Sequence, residues 1–318
     1  MKGAVQPLLG YGISSTPGLA WTARGIISVE IPGDSIGTLA TAAGIILGIG
    51  SEATTYKSTD GGHTFSYLAA TPSHPGGGNL ATGNGVWLIG ESTGSSLLMV
   101  SSDNGVVWST VDTGVTTAQS MWIATDGNSN WIALSDLSGT NSYAVSTNNG
   151  TTWVKPGITD LSGAVSPPLW DGSKWVAVFF NSGQTDTFIG TSVDGHTWTL
   201  TGPTGLIVSV AYQAGIYVAG DGDGTVRTSS TAAGLATASE IIVPGLDSGG
   251  INASIGAAGK FFVFDDLGNV ANSSNGFSWQ LGTSNLPGGS SASGPLCYDP
   301  VNTSFAVVDL GNDVSTYP

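Results

Sequence analysis

The chain is poor in positive charge, histidine and cysteine, and each shortage removes a class of function. Lys and Arg number 7 against 22 Asp and Glu in 318 residues, for a formal net charge of −15. Nucleic acids and anionic membranes select clustered positive charge, so neither is expected as a partner. Charged residues make up only 9% of the chain, well below the roughly 25% of ordinary soluble proteins. Ser, Thr, Asn and Gly must therefore cover much of the surface. The single cysteine, Cys297, cannot form an internal disulfide. It lies in the apolar stretch Pro295-Leu296-Cys297-Tyr298 and reads as a buried small hydrophobe rather than a nucleophile. The three histidines, His63, His74 and His196, have no ligand spacing to one another or to the cysteine, so neither a metal nor a cofactor is expected. Asp221-Gly222-Asp223-Gly224 lacks the Glu that completes an EF-hand loop. Neither a Gly-x-Ser-x-Gly elbow nor a phosphate-cradling glycine loop followed by Lys occurs. The longest apolar run, residues 39–49, is too short and too interrupted by Gly to span a bilayer. Lys2 followed by Pro7, Gly10 and Gly12 does not make a secretory leader.

What the chain has in abundance is glycine, 49 residues without a collagen period, and a short phrase that returns. Ser58-Thr59-Asp60-Gly61-Gly62-His63-Thr64-Phe65 recurs as Ser101-Ser102-Asp103-Asn104-Gly105-Val106-Val107-Trp108 and as Ser146-Thr147-Asn148-Asn149-Gly150-Thr151-Thr152-Trp153. Versions one residue shorter are Ser192-Val193-Asp194-Gly195-His196-Thr197-Trp198 and Ser273-Ser274-Asn275-Gly276-Phe277-Ser278-Trp279. The period of roughly 40–45 residues is that of a repeat architecture. Two degraded copies remain: Ser14 to Trp21, which keeps the Gly18-to-Trp21 spacing, and Ser229-Ser230-Thr231-Ala232-Ala233-Gly234, which no Trp follows.

Ahead of each phrase stands an apolar stretch, such as Val86-Trp87-Leu88-Ile89, Lys174-Trp175-Val176-Ala177 or Phe261-Phe262-Val263-Phe264. Short runs rich in Val, Ile and aromatics between Gly and Asn turns read as antiparallel strands. Four strands per unit of this length fit one blade of a β-propeller. Seven such stretches predict an all-β, seven-bladed propeller of four-stranded blades, with residues 1–318 in a single domain. The last repeat supplies three strands, around Leu296, Ser304–Val308 and Asp313–Tyr317. Residues 1–30, through the Trp21–Val29 region, are expected to complete it and close the ring, while 31–318 hold the repeats. A closed ring leaves no free sheet edge at its seam.

In the phrase, Asp or Asn precedes Gly in a tight hairpin, accepts backbone N–H groups as an Asx-turn does, and Trp wedges between strands. These residues resemble the Asp-box, or BNR repeat, of sialidase-like propellers. The resemblance covers nearly the whole chain and implies structural turns at the blade periphery, away from the ligand face. The structural set is Asp60, Gly62, Phe65, Asp103, Gly105, Trp108, Asn148, Gly150, Trp153, Asp194, Gly195, Trp198, Asn275, Gly276, Trp279, Gly18 and Trp21. Sialidases of that family use an arginine triad, and this chain has only Arg24 and Arg227, so that activity is disfavoured. Other Asp-box propellers cleave glucans with two convergent carboxylates. Asp221, Asp223, Asp265, Asp266, Asp309, Asp313, Glu52 and Glu91 stand in suitable loops, but Asp beside Gly or Asn is first of all turn chemistry.

No catalytic residues are therefore expected. Binding is expected in the loops between second and third strands and between blades, since loops on a rigid scaffold carry function. The candidates are Glu91, Ser95, Asp136, Asn141, Asn181, Gln184, Asp186, Asp223 and Asp266. The repeats also resemble those of phage structural and bacterial surface proteins. That resemblance implies a non-enzymatic virion component of a bacteriophage, in the tail or another exposed position. It would be made in the host cytoplasm and would contact other virion proteins, a host-surface glycan or both, with oligomerisation through the larger assembly. The alternative is a bacterial lectin or glycoside hydrolase at the cell surface or secreted by a non-classical route.

Overall fold

A computed structural model describes residues 22–26, 34, 36–71, 79–90, 95–115, 120–136, 142–156, 163–181, 185–246, 250–265, 269–282, 296–308 and 313–317. After β1 (Thr22–Ile26), strand follows strand in antiparallel hairpins. The first sheet holds β2 (Ile36–Ala42), β3 (Ile45–Gly50), β4 (Thr54–Ser58) and β5 (Ser66–Ala70), in that order. The second holds β6 (Leu80–Gly83), β7 (Val86–Gly90), β8 (Leu97–Ser101) and β9 (Ser109–Asp112). Next comes a sheet of β10 (Met121–Thr125), β11 (Trp131–Ser135) and β12 (Tyr143–Ser146). The fourth contains β13 (Leu169–Trp170), β14 (Trp175–Phe180), β15 (Thr187–Ser192) and β16 (Thr199–Thr201). The fifth contains β17 (Ile207–Gln213), β18 (Ile216–Asp221), β19 (Thr225–Ser229) and β20 (Glu240–Ile242). The sixth contains β21 (Ile251–Ala257), β22 (Lys260–Asp265), β23 (Val270–Ser273) and β24 (Gln280–Leu281). The closing sheet has the order β1-β27-β26-β25, from β25 (Leu296–Asp299), β26 (Ser304–Val308) and β27 (Asp313–Tyr317).

This corrects the expectation of seven four-stranded blades. Six sheets carry four strands, and the sheet β10-β11-β12 carries three. The cause is local. After Trp153 the chain makes one isolated bridge, Val145 to Val154, with N–H···O distances of 2.9 and 2.8 Å in the two directions. In the second sheet the next hydrogen-bonded pair is Leu98 with Val111. The matching position here is Pro156, which has no N–H to donate. A proline pair, Pro167-Pro168, likewise splits the inner strand of the fourth sheet, leaving an isolated bridge from Ala164 to Phe179 ahead of the two-residue β13.

The innermost strands touch in cyclic order: β2 to β6, β10, β13, β17, β21, β25 and back to β2. β1 pairs with β27 from Thr22 opposite Thr316 to Ile26 opposite Asp313, so the N-terminal strand is the outer strand of the closing sheet. Trp21 and Gly18, the expected wedge and turn of that seam, lie outside the described residues.

Burial grades outward from the axis. The second strands β7 and β11 are buried along their whole length, because both faces of each are covered by neighbouring sheets. Fourth strands such as β5 and β9 are mostly exposed. The core is divided into clusters between consecutive sheets. Leu47 and Ile49 of the first sheet meet Leu80, Trp87 and Ile89 of the second, while Ile36, Leu39 and Tyr56 meet Cys297 and Ala306 of the closing sheet. Cys297 is buried, as its sequence context implies, and burial pushes its thiol up to about 12.

Candidate functional site

Antiparallel order puts two sets of connections at opposite ends of the ring. The repeated phrases share one end with the hairpins joining first to second strands. The hairpins joining second to third strands share the other end with the links between sheets. The two ends are called here the box face and the loop face.

On the box face the five phrases have one geometry. A buried serine is the hub: Ser58, Ser101, Ser146, Ser192 and Ser273 each donate their Oγ–H to the Asp or Asn two residues on, at 2.7–3.1 Å. The same Oγ accepts the N–H of Gly62, Gly105, Gly150, Gly195 or Gly276, at 2.8–3.0 Å. The Asp or Asn then accepts the N–H that precedes the aromatic, from Thr64, Val107, Thr152, Thr197 or Ser278. Hydrogen bonds from Val107 and Ser101 hold the Asp103 carboxyl below the usual carboxylate range, and the Thr197 N–H leads the same effect at Asp194. At Asp60, burial pushes upward but is outweighed by hydrogen bonds from Thr64 and Ser58. The two phrase lengths differ in one left-handed residue. The long form places Asn104 (φ 59°) before Gly105 (φ 84°) and Asn149 (φ 59°) before Gly150 (φ 78°), whereas the short form needs only Gly195 or Gly276. The extra asparagine accepts an indole N–H from Trp87 or Trp131 of its own sheet, at 3.2 Å.

Each phrase also stitches its sheet to the preceding one. A Cβ on Gly105 would sit 2.8 Å from Leu47 Cδ1, and one on Gly150 would sit 3.0 Å from Leu88 Cδ1. Trp108 donates to Thr55 Oγ1 of the first sheet at 3.0 Å. Ser304 of the closing sheet donates to the Gly61 carbonyl at 3.0 Å, which carries the stitching across the chain seam. Phe65, Trp108, Trp153, Trp198 and Trp279 each pack into a different inter-sheet cluster. In the fifth sheet the decayed phrase forms a 3₁₀ turn, Ala233–Ala236, and Ala232 and Leu235 fill the place of the wedge. These residues are engaged in holding the sheets together.

The loop face is organised by carboxylates that sequence reading treats only as turn formers. Asp265, fully buried, accepts from the Asn269 N–H and Nδ2, both at 2.7 Å. Asp221, 3% exposed, accepts from Arg227 Nε at 2.8 Å, and Arg227 Nη2 reaches Glu240 at 2.9 Å. Asp223 accepts from Thr225 N and Oγ1, at 3.1 and 2.8 Å. Asp34, which the sequence does not single out, does the same work in the first sheet. It accepts from the Glu52 N–H at 2.9 Å, Tyr56 OH at 2.7 Å, Ser51 Oγ at 3.2 Å and Thr54 Oγ1. Its carboxylate occupies the space that a side chain on Gly50 would need. Gly50, Asp221 and Asp265 all end second strands, opposite Ile36, Ile207 and Ile251, so Asp34 stands in for a missing strand-end acid. Burial pushes Asp34 upward, and its four hydrogen-bond donors outweigh that to lower it. At Asp221 burial prevails over Arg227, and the carboxyl is raised.

The remaining candidates shape their own loops. Ser95 Oγ accepts the Leu97 N–H at 3.1 Å, and Asn181 Oδ1 accepts the N–H groups of Thr185 and Asp186 at 2.9 and 3.4 Å. Asp136 donates its backbone N–H to the Ser120 carbonyl at 3.2 Å, tying its hairpin to the link between sheets. Glu91, Asn141, Gln184 and Asp266 lie outside the described residues, as do Asp309 and His74. Among the described residues no group of three or more His, Cys, Asp or Glu is placed to hold a metal ion.

No family model and no curated protein sequence matches the chain. Solved structures do. The chain is similar to YCF48 bound to D1 peptide, at 13% identity over 95% of this chain and 99% of that one, with a TM-score of 0.69. YCF48 from Cyanidioschyzon merolae matches at 14% identity over 94% and 98%, with a TM-score of 0.65. Saccharomyces cerevisiae Sqt1 matches at 8% over 95% and 98%, with a TM-score of 0.60. The fold is a β-propeller. At these identities the likeness speaks for the fold alone. On this propeller the box face carries the stitching, and the loop face carries the more varied segments.

Proposed function

We propose that the chain is a non-enzymatic propeller of the Asp-box kind that binds a protein partner through its loop face. In this reading it serves as an exposed structural component of a bacteriophage virion, in particle assembly or attachment to the host surface. The observation that carries the non-enzymatic reading is the occupation of the loop-face acids. Asp34, Asp223 and Asp265 spend their lone pairs on neighbouring N–H and O–H groups, and Asp221 is tied to Arg227. A glycosidase needs a protonated acid and a second carboxylate facing one substrate bond. Asp221 has the raised carboxyl, yet its Oδ2 faces Arg227 rather than a partner acid.

YCF48, whose fold this chain shares, is seen bound to D1 peptide, and a peptide segment is a reasonable form for the partner here. The virion assignment rests on the charge-poor Ser/Thr/Gly surface and on the likeness of the repeats to those of phage structural proteins. The test is direct: particles from cells carrying the gene are banded by density and probed with an antibody to this chain. Co-banding with the major capsid protein is expected, and recovery only in the free protein fraction would overturn the virion reading. A glycan array read for both binding and hydrolysis tests the enzyme question, with no hydrolysis expected.

A further inference from the structure

Charge is sorted between the two faces. Among the described residues, the loop-face segments hold Asp34, Glu52, Asp136, Asp186, Asp221, Asp223 and Asp265, and no Lys or Arg. Lys57, Lys174 and Lys260 lie at the box-face ends of their strands. Two other described bases are already engaged. Lys155 lies against Gly114, beside Asp112, whose carboxyl it helps to lower, and Arg227 is held between Asp221 and Glu240. Of the loop-face acids, Glu52 and Asp223 are exposed and Asp136 and Asp186 half-buried.

A second, independent observation lies at the root of the β18–β19 hairpin. Asp221 is almost wholly buried, at 3% exposure, and its Oδ1 has no hydrogen-bond partner among the described residues. A buried carboxylate oxygen without a donor is costly, and it sits two residues from exposed Asp223 on the same hairpin. Thr225 Oγ1 already bridges the two acids, at 3.3 Å from Asp221 and 2.8 Å from Asp223. The pair thus lacks a donor on the Asp221 side, and Arg227, turned to Oδ2 and Glu240, does not supply it.

We propose that the loop face docks a basic segment of a partner protein, with a Lys or Arg of that segment seated at the Asp221–Asp223 hairpin. This names the partner class for the protein-binding reading above and rests on it. Opposed potentials steer association and suppress wrong partners, and such attraction between exposed charges weakens once the Debye length falls below about 8 Å near physiological salt. Nothing described on the box face offers the same field, because its acids are folded into the phrases and its lysines stand beside them.

The test uses the full chain and three labelled ten-residue peptides: oligo-lysine, oligo-arginine, and a Gly/Ser peptide. One variant removes four loop-face charges: Glu52→Gln, Asp136→Asn, Asp186→Asn and Asp223→Asn. A second removes four elsewhere: Asp60→Asn, Asp103→Asn, Asp126→Asn and Asp194→Asn. The box changes are tolerable because Asn148 and Asn275 hold the same place natively. Circular dichroism and urea midpoints establish that both variants fold. Expected are binding of the basic peptides alone, weakening as salt rises, and about tenfold or greater loss in the loop-face variant with little change in the other. Equal losses in the two variants would mean attraction to net charge only and would overturn the proposal, as would no binding of either basic peptide at low salt. Co-banding with particles is read separately, so failure here leaves the virion reading standing, and failure there leaves this one.

Discussion

At the scale of single residues, the serine that opens each phrase does more than its size suggests. Ser101 Oγ donates to Asp103 and accepts from Gly105 N–H, and the residue is almost fully buried. Removing the oxygen strands a buried N–H. Ser101→Ala is therefore expected to lower the unfolding free energy by about 1–3 kcal/mol, read from urea titrations; an unchanged midpoint would show the serine to be incidental. The carboxylates set a pH dependence. Asp60, Asp103 and Asp194 have folded pKa values below the ordinary aspartate value of 3.8. Their stabilisation is therefore full above the unfolded-state pKa and is lost as pH falls through the folded values. Stability is expected to decline on acidification below about pH 4. The triple change Asp60→Asn, Asp103→Asn, Asp194→Asn should flatten that part of the curve, and an identical acid limb would refute the assignment. The phrases are legible in the sequence because their chemistry is local, each partner lying two to four residues away. Asp34 is not, because its donors Ser51, Thr54 and Tyr56 come 17 to 22 residues later and nothing marks the aspartate itself. Arg227 with Asp221 and Glu240 is hidden for the same reason: a cross-strand trio shows no local pattern.

At the scale of elements, the strands are readable and their number per sheet is not. Apolar second strands are unmistakable because both faces are buried, whereas fourth strands are short, exposed and weakly patterned. The departure at β10-β11-β12 is written in Pro156, but its meaning depends on register: only when position 156 faces Tyr143 does the absent N–H end the ladder. Pro156→Val is expected to extend the bridge at Val154 by one pair. The new residue 156 amide should gain protection in hydrogen exchange, and an amide that exchanges at the rate of an exposed loop would contradict this account of the missing strand. The fifth sheet makes the complementary point. Its phrase has no Trp, yet the inter-sheet cluster is filled, because a 3₁₀ turn swings Leu235 and Ala232 to the same place. The volume is kept while the motif is lost, and volume cannot be read from a pattern of letters.

At the scale of the whole molecule, the sheets depend on one another in a circle. Every described phrase packs on the sheet before it, the first on the closing sheet through Gly61 and Ser304, and β1 supplies the outer strand that the C-terminal three strands lack. The charge sorting also belongs to this scale, since it emerges only when antiparallel order assigns each segment to a face. A ring held in this way should unfold as a unit. The most direct measurement is urea unfolding of the full chain and of a version lacking residues 1–26, followed both by intrinsic Trp fluorescence and by hydrogen exchange at β8 and β19, in sheets away from the seam. Removal of β1 is expected to lower the midpoint and the exchange protection at all these sites together. Loss confined to β25–β27, with β8 and β19 protected as before, would contradict the closed ring on which the account rests.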